Sequence, residues 1–339
     1  MKRLVKRMAA LGFAAVFLWV APAQAQFFVD CDAGDSIQDA LDAQEWLPSA
    51  DVEFTGICEE LVTVRHNRAS IVGIDGATLI GRIRVFGPSN VALRDFTVTG
   101  ENDGLTIAGG RARIRNVNIN GNEGVGITGV DGATIRLTDC WVADNQAAHG
   151  VVLNHSTLRM ANTHILGHPD LGIAAFDNST VISNGGSVGD NHRGIFLSNG
   201  STLNLDGTHV TDNVIDGVLM ATGSNAVLVG SVLTRNGGHG IDVGLNSSAD
   251  ISEGLITDNG ESGVYVTSHS IVRLTGTEVS GNVMHGISLI NDAGAEVWDF
   301  TTVPENQSGW AVYCNGKEAG LDVSDLATVG LMKCPDRKF

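Results

Sequence analysis

Along this chain histidines and carboxylates recur at a nearly constant interval: Glu123, His149, Asp170, His192 with Arg193, Asp216, His239, Glu261 and His285. Acid–base work on a sugar needs two titratable groups in different environments facing one substrate. His149, His168, Asp170 and His192 are the candidate set, because Gly167-His168-Pro169-Asp170 breaks the surrounding pattern. Pro169 removes a backbone donor and restricts its neighbour, so this turn must take another shape. Arg193 completes the candidate catalytic group as a cation able to neutralise a uronate carboxylate. The competing reading is structural: polar residues belong at exposed turns, and alternating charges stabilise a stacked edge.

What would hold these residues in line is a repeat. Glycines stand at 104, 126, 150, 172, 194, 217, 240, 263, 286 and 309, at intervals of 22 to 24 residues, mostly followed by apolar, variable, apolar. A fixed period of this size means a solenoid. With 43 glycines, many Thr and Val, and period-two alternation, its elements are short strands between turns. Expected inward positions are Val151/Leu153, Ile195/Leu197, Val218/Met220 and Val264/Val266 on a first strand. A second contributes Leu203/Leu205, Val272/Leu274 and Ala295/Val297, and a third Val142, Leu166, Val188, Val210, Leu233, Ile256 and Val279. The fold class is therefore all-β, a single-stranded right-handed parallel β-helix with three strands per coil around one apolar column. Asn122, Asn145, Asn191, Asn213, Asn236, Asn259, Asn282 and Asn306 fall near one turn of successive copies and predict a stacked amide ladder.

Both ends of such a stack need covers. Residues 35–47, with Ile37, Ala40, Leu41 and Trp46 at helical spacing after Asp35, predict a short capping helix, and 314–339 lose the repeat and predict a C-terminal cap. The expected division is a signal peptide over 1–25, an N-terminal cap over 26–60, the β-helix over 61–313 and the C-terminal cap. Lys2, Arg3, Lys6 and Arg7, the apolar run from Met8 to Val20 and Ala23-Gln24-Ala25 make the leader. Its removal takes the formal net charge from −17 to −21. So acidic a surface repels nucleic acid and anionic membranes. Export invites disulfides: Cys31–Cys58 and Cys314–Cys334 are expected to staple the two ends, leaving Cys140 as a buried thiol.

Two rows on the outside stand apart. Arg94, Arg113 or Arg115, Arg136 and Arg159 come from consecutive coils, and like charges opposed on neighbouring strands are unfavourable, so Arg113, Arg136 and Arg159 are candidate contacts for an anionic partner. Two residues past the glycines run Val152, Ala174, Phe196, Leu219 and Tyr265. Phe196 and Tyr265 are candidates for stacking a glycan, with the C-terminal tail or another subunit as other covers for this row.

The run "SIQDALDA", then "FTGICEELVTV" and glycine-led coils, resembles the pectin-lyase-like right-handed β-helix proteins that carry parallel β-helix repeats. That resemblance implies the fold and leaves function open, since lyases, polygalacturonases, alginate epimerases and phage tailspikes share it. Polygalacturonases are implied by N-T-D, D-D, G-H-G and R-I-K, of which only Gly238-His239-Gly240 is present. Alginate epimerases resemble one another around D-P-H, whereas here the order is Gly167-His168-Pro169-Asp170. Gly237 to Asp242 imitates part of a calcium nonapeptide with no tandem copy, so no metal or other cofactor is expected, Ca²⁺ having no motif behind it. The sequence thus predicts a secreted or periplasmic protein, with no transmembrane segment after leader removal, that binds or modifies an extracellular polysaccharide. A lyase or epimerase acting on an acidic polymer stands beside a non-catalytic binding or structural module, and the oligomeric state is open.

Overall fold

A computed structural model describes residues 27–334 apart from 148, 305, 308, 316–318 and 326; the expected leader lies outside the described residues. Each winding carries three strands, as in Arg193–Leu197, Thr202–Asp206 and His209–Thr211. The next winding repeats them as Val218–Met220, Asn225–Val229 and Val232–Thr234, paired in parallel and in register with the first set. We call the three sides the first, second and third faces. The second is one 14-stranded sheet. The first and third are joined at the start of the stack, where Ile57–Val64 and Thr78–Phe86 run through both.

Alternate residues of the strands up to Gly320–Val323 enter one continuous core from Val29 to Ala319. Burial of this row is the main stabilising term, at roughly 25 cal/mol per Å² of apolar surface. The expected inward pairs are buried, with one shift of register: in His164–Leu166 it is Ile165 that enters the core and Leu166 that is half-buried. Histidine before and glycine after this strand had disguised its phase.

Each corner of the prism has its own hydrogen-bonded ladder. The asparagine ladder lies between the third and first faces: Asn236 Nδ2 donates to Asn259 Oδ1 at 3.0 Å and to the Val210 carbonyl at 3.2 Å, and the pattern recurs through Asn306. A serine ladder turns the first face into the second, with the Ser224 and Ser247 amides donating to the hydroxyls of Ser247 and Ser270. Hydroxyls at Thr163, Ser231 and Thr277 serve the third corner, where the buried free thiol Cys140 also sits. Burial pushes the Cys140 thiol up, so it is kept protonated.

The front is closed by α1 (Ile37–Asp42), which presses Ile37, Ala40 and Leu41 onto the first winding. Its N-cap is Ser36 rather than Asp35, and Glu60 receives the Ile37 and Gln38 amides at 2.7 and 3.0 Å. Trp46 lies past the end of the helix and is 90% exposed, not buried with the helical stripe. The stack already begins inside this cap, since Phe27–Asp30 pairs with Ala50–Thr55. At the other end the chain keeps winding as far as Lys333, with Gly294 opposite Gly320, Thr302 opposite Thr328 and Val312 opposite Met332. Cys31–Cys58 and Cys314–Cys334 are bonded, one at each end.

Candidate functional site

The first face is chemically uneven. On each winding two outward positions meet it, the residue before the repeat glycine and the residue two after it. Strand stacking brings the first of these against the second of the next winding, 26 residues on, or 28 from His285. The resulting diagonals are Asp216 with Asp242, His239 with Tyr265, Ser262 with Ser288, and His285 with Tyr313. The His239 and Tyr265 rings lie parallel at 4.4 Å and 5°, those of His285 and Tyr313 at 4.6 Å and 14°, and the two serine hydroxyls are 2.9 Å apart.

Hydrogen bonds fix the middle of this row. The Ser262 amide donates to His239 Nδ1 at 3.2 Å, so the imidazole proton sits on Nε2, which faces Glu261 Oε2 at 2.9 Å. Burial lowers the His239 pKa against the pull of Glu261 and Asp216. Asp216 is itself held by Arg193 Nε at 3.2 Å and by the His239 amide, which donates to it at 3.0 Å. Among the described residues none hydrogen-bonds or ion-pairs with the Asp242 carboxyl. It stands between Leu219 and Tyr265 in the strand ladder. Burial, then the charge of Asp216, lift its carboxyl to about 7, only partly offset by Arg193. Burial also raises the Tyr265 phenol, with Asp242 adding to the effect.

The residues singled out from the sequence are distributed otherwise than as one cluster. His149 Nδ1 and Asp170 Oδ2 are 3.7 Å apart on neighbouring windings, and His192 is exposed on the next. His168 points inward and is 1% exposed. It occupies the asparagine place in the ladder, with its amide donating to Asn191 Oδ1 at 3.0 Å and its Nε2 3.2 Å from the Val142 carbonyl. A side chain so placed cannot touch a polymer lying on the surface. Arg193 belongs with Asp216, one winding further along. Of the apolar row, Phe196 and Tyr265 are half-buried on the first face, Phe196 packing edge-on against Phe176 at 5.7 Å, while Ala174 is fully buried. Arg113, Arg136 and Arg159 are exposed on the second face, in register with one another.

Sequence reasoning had Asp216, His239 and Glu261 on the edge but passed over Asp242, which breaks the apolar row between Leu219 and Tyr265. The recurrence of His and Tyr at a separation of 26 in 239/265, and of Asp in 216/242, was the available signal. On the third face, a shallow groove of about 530 Å³ is lined by Asn118, Asn120, Trp141 and Asp144, and the Trp141 ring lies 4.4 Å from that of His164, tilted by 31°. Among the described residues no three or more His, Cys, Asp or Glu side chains are grouped to hold a metal ion. No helix there is long and apolar enough to cross a membrane.

A three-faced parallel coil with a polar, titratable strip along one face defines the class, and the chain belongs to the right-handed β-helix family. The family model described as "Right handed beta helix region" matches residues 81–232 and 193–325. Among solved structures the chain is similar to the A-module of mannuronan C-5 epimerase AlgE4 from Azotobacter vinelandii, with a TM-score of 0.62 and 15% identity over 93% of this chain and 96% of that one. It is also similar to the periplasmic alginate epimerase AlgG, with a TM-score of 0.55 and 12% identity over 91% and 84%. A third likeness, to the catalytic domain of a GH87 α-1,3-glucanase, has a TM-score of 0.52 and 12% identity over 94% and 70%. At these identities the shared property is the fold. No curated protein sequence matches the chain.

Proposed function

We propose that this is an exported enzyme that modifies an extracellular polysaccharide on its first face, by proton transfer at a sugar carbon beside a carboxylate. The observation that carries the reading is the assembly of Arg193, Asp216, His239, Asp242 and Tyr265 from four consecutive windings into one strip. A carboxyl near 7 is well placed to accept and return a proton at neutral pH. In its ionised form Asp242 takes the proton from the carbon next to the uronate carboxylate, and the electron pair moves into that carboxylate. Arg193 supplies positive charge on the same strip. Tyr265, kept protonated, delivers a proton either to the departing glycosidic oxygen, giving an unsaturated product, or to the opposite side of the carbon, inverting it. His239 stacks under the phenol and holds it in place. Solved neighbours whose names record an alginate epimerase and a mannuronan C-5 epimerase support the substrate class, and the two disulfides support an oxidising, extracytoplasmic location.

The Asp216–Asp242 pair favours a second reading, hydrolysis of a glycosidic bond, since such a reaction uses two neighbouring carboxyls and one of these is lifted to about 7. A panel of polyuronates and neutral glucans separates the two. The lyase or epimerase reading predicts ultraviolet absorbance from unsaturated ends, or inverted residues by NMR, lost on Asp242→Asn and Tyr265→Phe. New reducing ends without unsaturation mean hydrolysis. Binding with neither product means a non-catalytic module.

A further inference from the structure

The second face carries a separate feature. The outward residues of five consecutive strands are Arg68, Ser70 and Val72; Asn90, Ala92 and Arg94; Arg111, Arg113 and Arg115; Thr134, Arg136 and Thr138; and Thr157, Arg159 and Ala161. Seven are arginines, all exposed, and none is a carboxylate. The protein has 38 acidic and 21 basic residues, four of the latter in the expected leader. An acid-free arginine field here is the reverse of the surface as a whole. Arg113, Arg136 and Arg159 are direct partners across the ladder, and Arg94 is opposed to Arg115.

The same sheet shows how such charges are settled when only stability is at stake. Farther along the column of Arg113, Arg136 and Arg159 stands Arg273, with Asp250 before it and Glu296 after it, bonded at 2.9 and 2.7 Å. The arginine field lacks this arrangement: Arg113 reaches only the amide oxygen of Asn90 at 3.0 Å, and Arg115 lies 4.0 Å from Asp139 at the margin. Like charges directly opposed destabilise a sheet, so an anionic ligand that bridges them is bound with an added electrostatic gain.

We propose that this field is a docking surface for an acidic polysaccharide running parallel to the solenoid axis. Guanidinium groups recur there once per winding, roughly every 4.8 Å, a step comparable with one sugar residue of an extended polyuronate. The proposal rests on the reading above only for the class of polymer. The site is on another face and holds the chain without touching the reacting atoms.

The test measures binding of fluorescent alginate and polygalacturonate, with neutral dextran, phosphatidylglycerol vesicles and duplex DNA as comparison probes. The wild-type protein and an Arg113→Gln/Arg136→Gln/Arg159→Gln variant are compared, with circular dichroism confirming the fold. Expected are binding of the polyuronates but not dextran, a loss of about tenfold or more in the variant with a shallower salt dependence, and recovery in the corresponding Lys variant. Turnover is assayed alongside, and polyuronate binding that the arginine variant loses stands whether or not turnover is found, so a failed catalytic reading and a failed docking surface are told apart. Equal affinity in wild type and the Gln variant overturns the proposal, as does preference for vesicles or DNA over both polyuronates.

Discussion

Asp242 is where the protein departs furthest from what stability alone would select. Its carboxyl, about 7 in the folded state, titrates near 3.9 in an unfolded chain. Between these values the folded state holds the proton more tightly, so this residue's contribution to stability falls as pH rises from about 4 to about 7. Replacing Asp242 by Asn should remove that loss. Urea unfolding should find the variant more stable by roughly 1–3 kcal/mol at pH 8, with the gap closing toward pH 4.5. A gap independent of pH would mean that the carboxyl is not held protonated. This residue was hard to see in the sequence because its significance lies in neighbours 23 and 26 positions away. A row of apolar residues is read past one exception, yet the proposed chemistry turns on that exception.

Among the elements, the ladders explain both what was legible and what was not. Inward positions could be read because strand periodicity and coil periodicity agree at nearly every winding, and the asparagine row could be read because it holds one place in every coil from Asn191 to Asn306. The serine and threonine ladders escaped because these residues are ordinary in any turn. His168 shows a related effect: a histidine beside a proline suggests function, whereas the structure places it in the asparagine position between Asn145 and Asn191. It fills it imperfectly, since among the described residues its buried Nδ1 finds no hydrogen-bond partner. Burial lowers its pKa, so the unfolded chain takes up the proton first and this contribution to stability is lost as pH falls below about 6.5. We expect His168→Asn to raise stability by about 1–3 kcal/mol by completing the ladder and to flatten the acid limb, while leaving glycan binding and turnover intact. Thermal unfolding between pH 5 and 8 checks this; loss of turnover in a stably folded variant would return His168 to the catalytic set.

At the scale of the whole molecule, one shared core makes a long rigid support whose faces are chemically independent. The first face gathers titratable groups, the second displays arginine, and the third has an aromatic groove. No winding is stable alone, which is why the stack needs α1 and a disulfide at one end and a disulfide-tied last winding at the other. The fold was legible because repetition reports a core many times over, whereas a site is written once, across windings. The most direct test of the central claim is proton exchange: incubate the protein with polymannuronate and polygalacturonate in deuterated water and follow deuterium at the carbon beside the carboxylate by NMR and mass spectrometry. The account predicts label in recovered polymer or unsaturated product with the wild-type chain and none with Asp242→Asn or Tyr265→Phe. Label that persists at the wild-type rate in both variants, or polymer that is bound but never labelled, would contradict it.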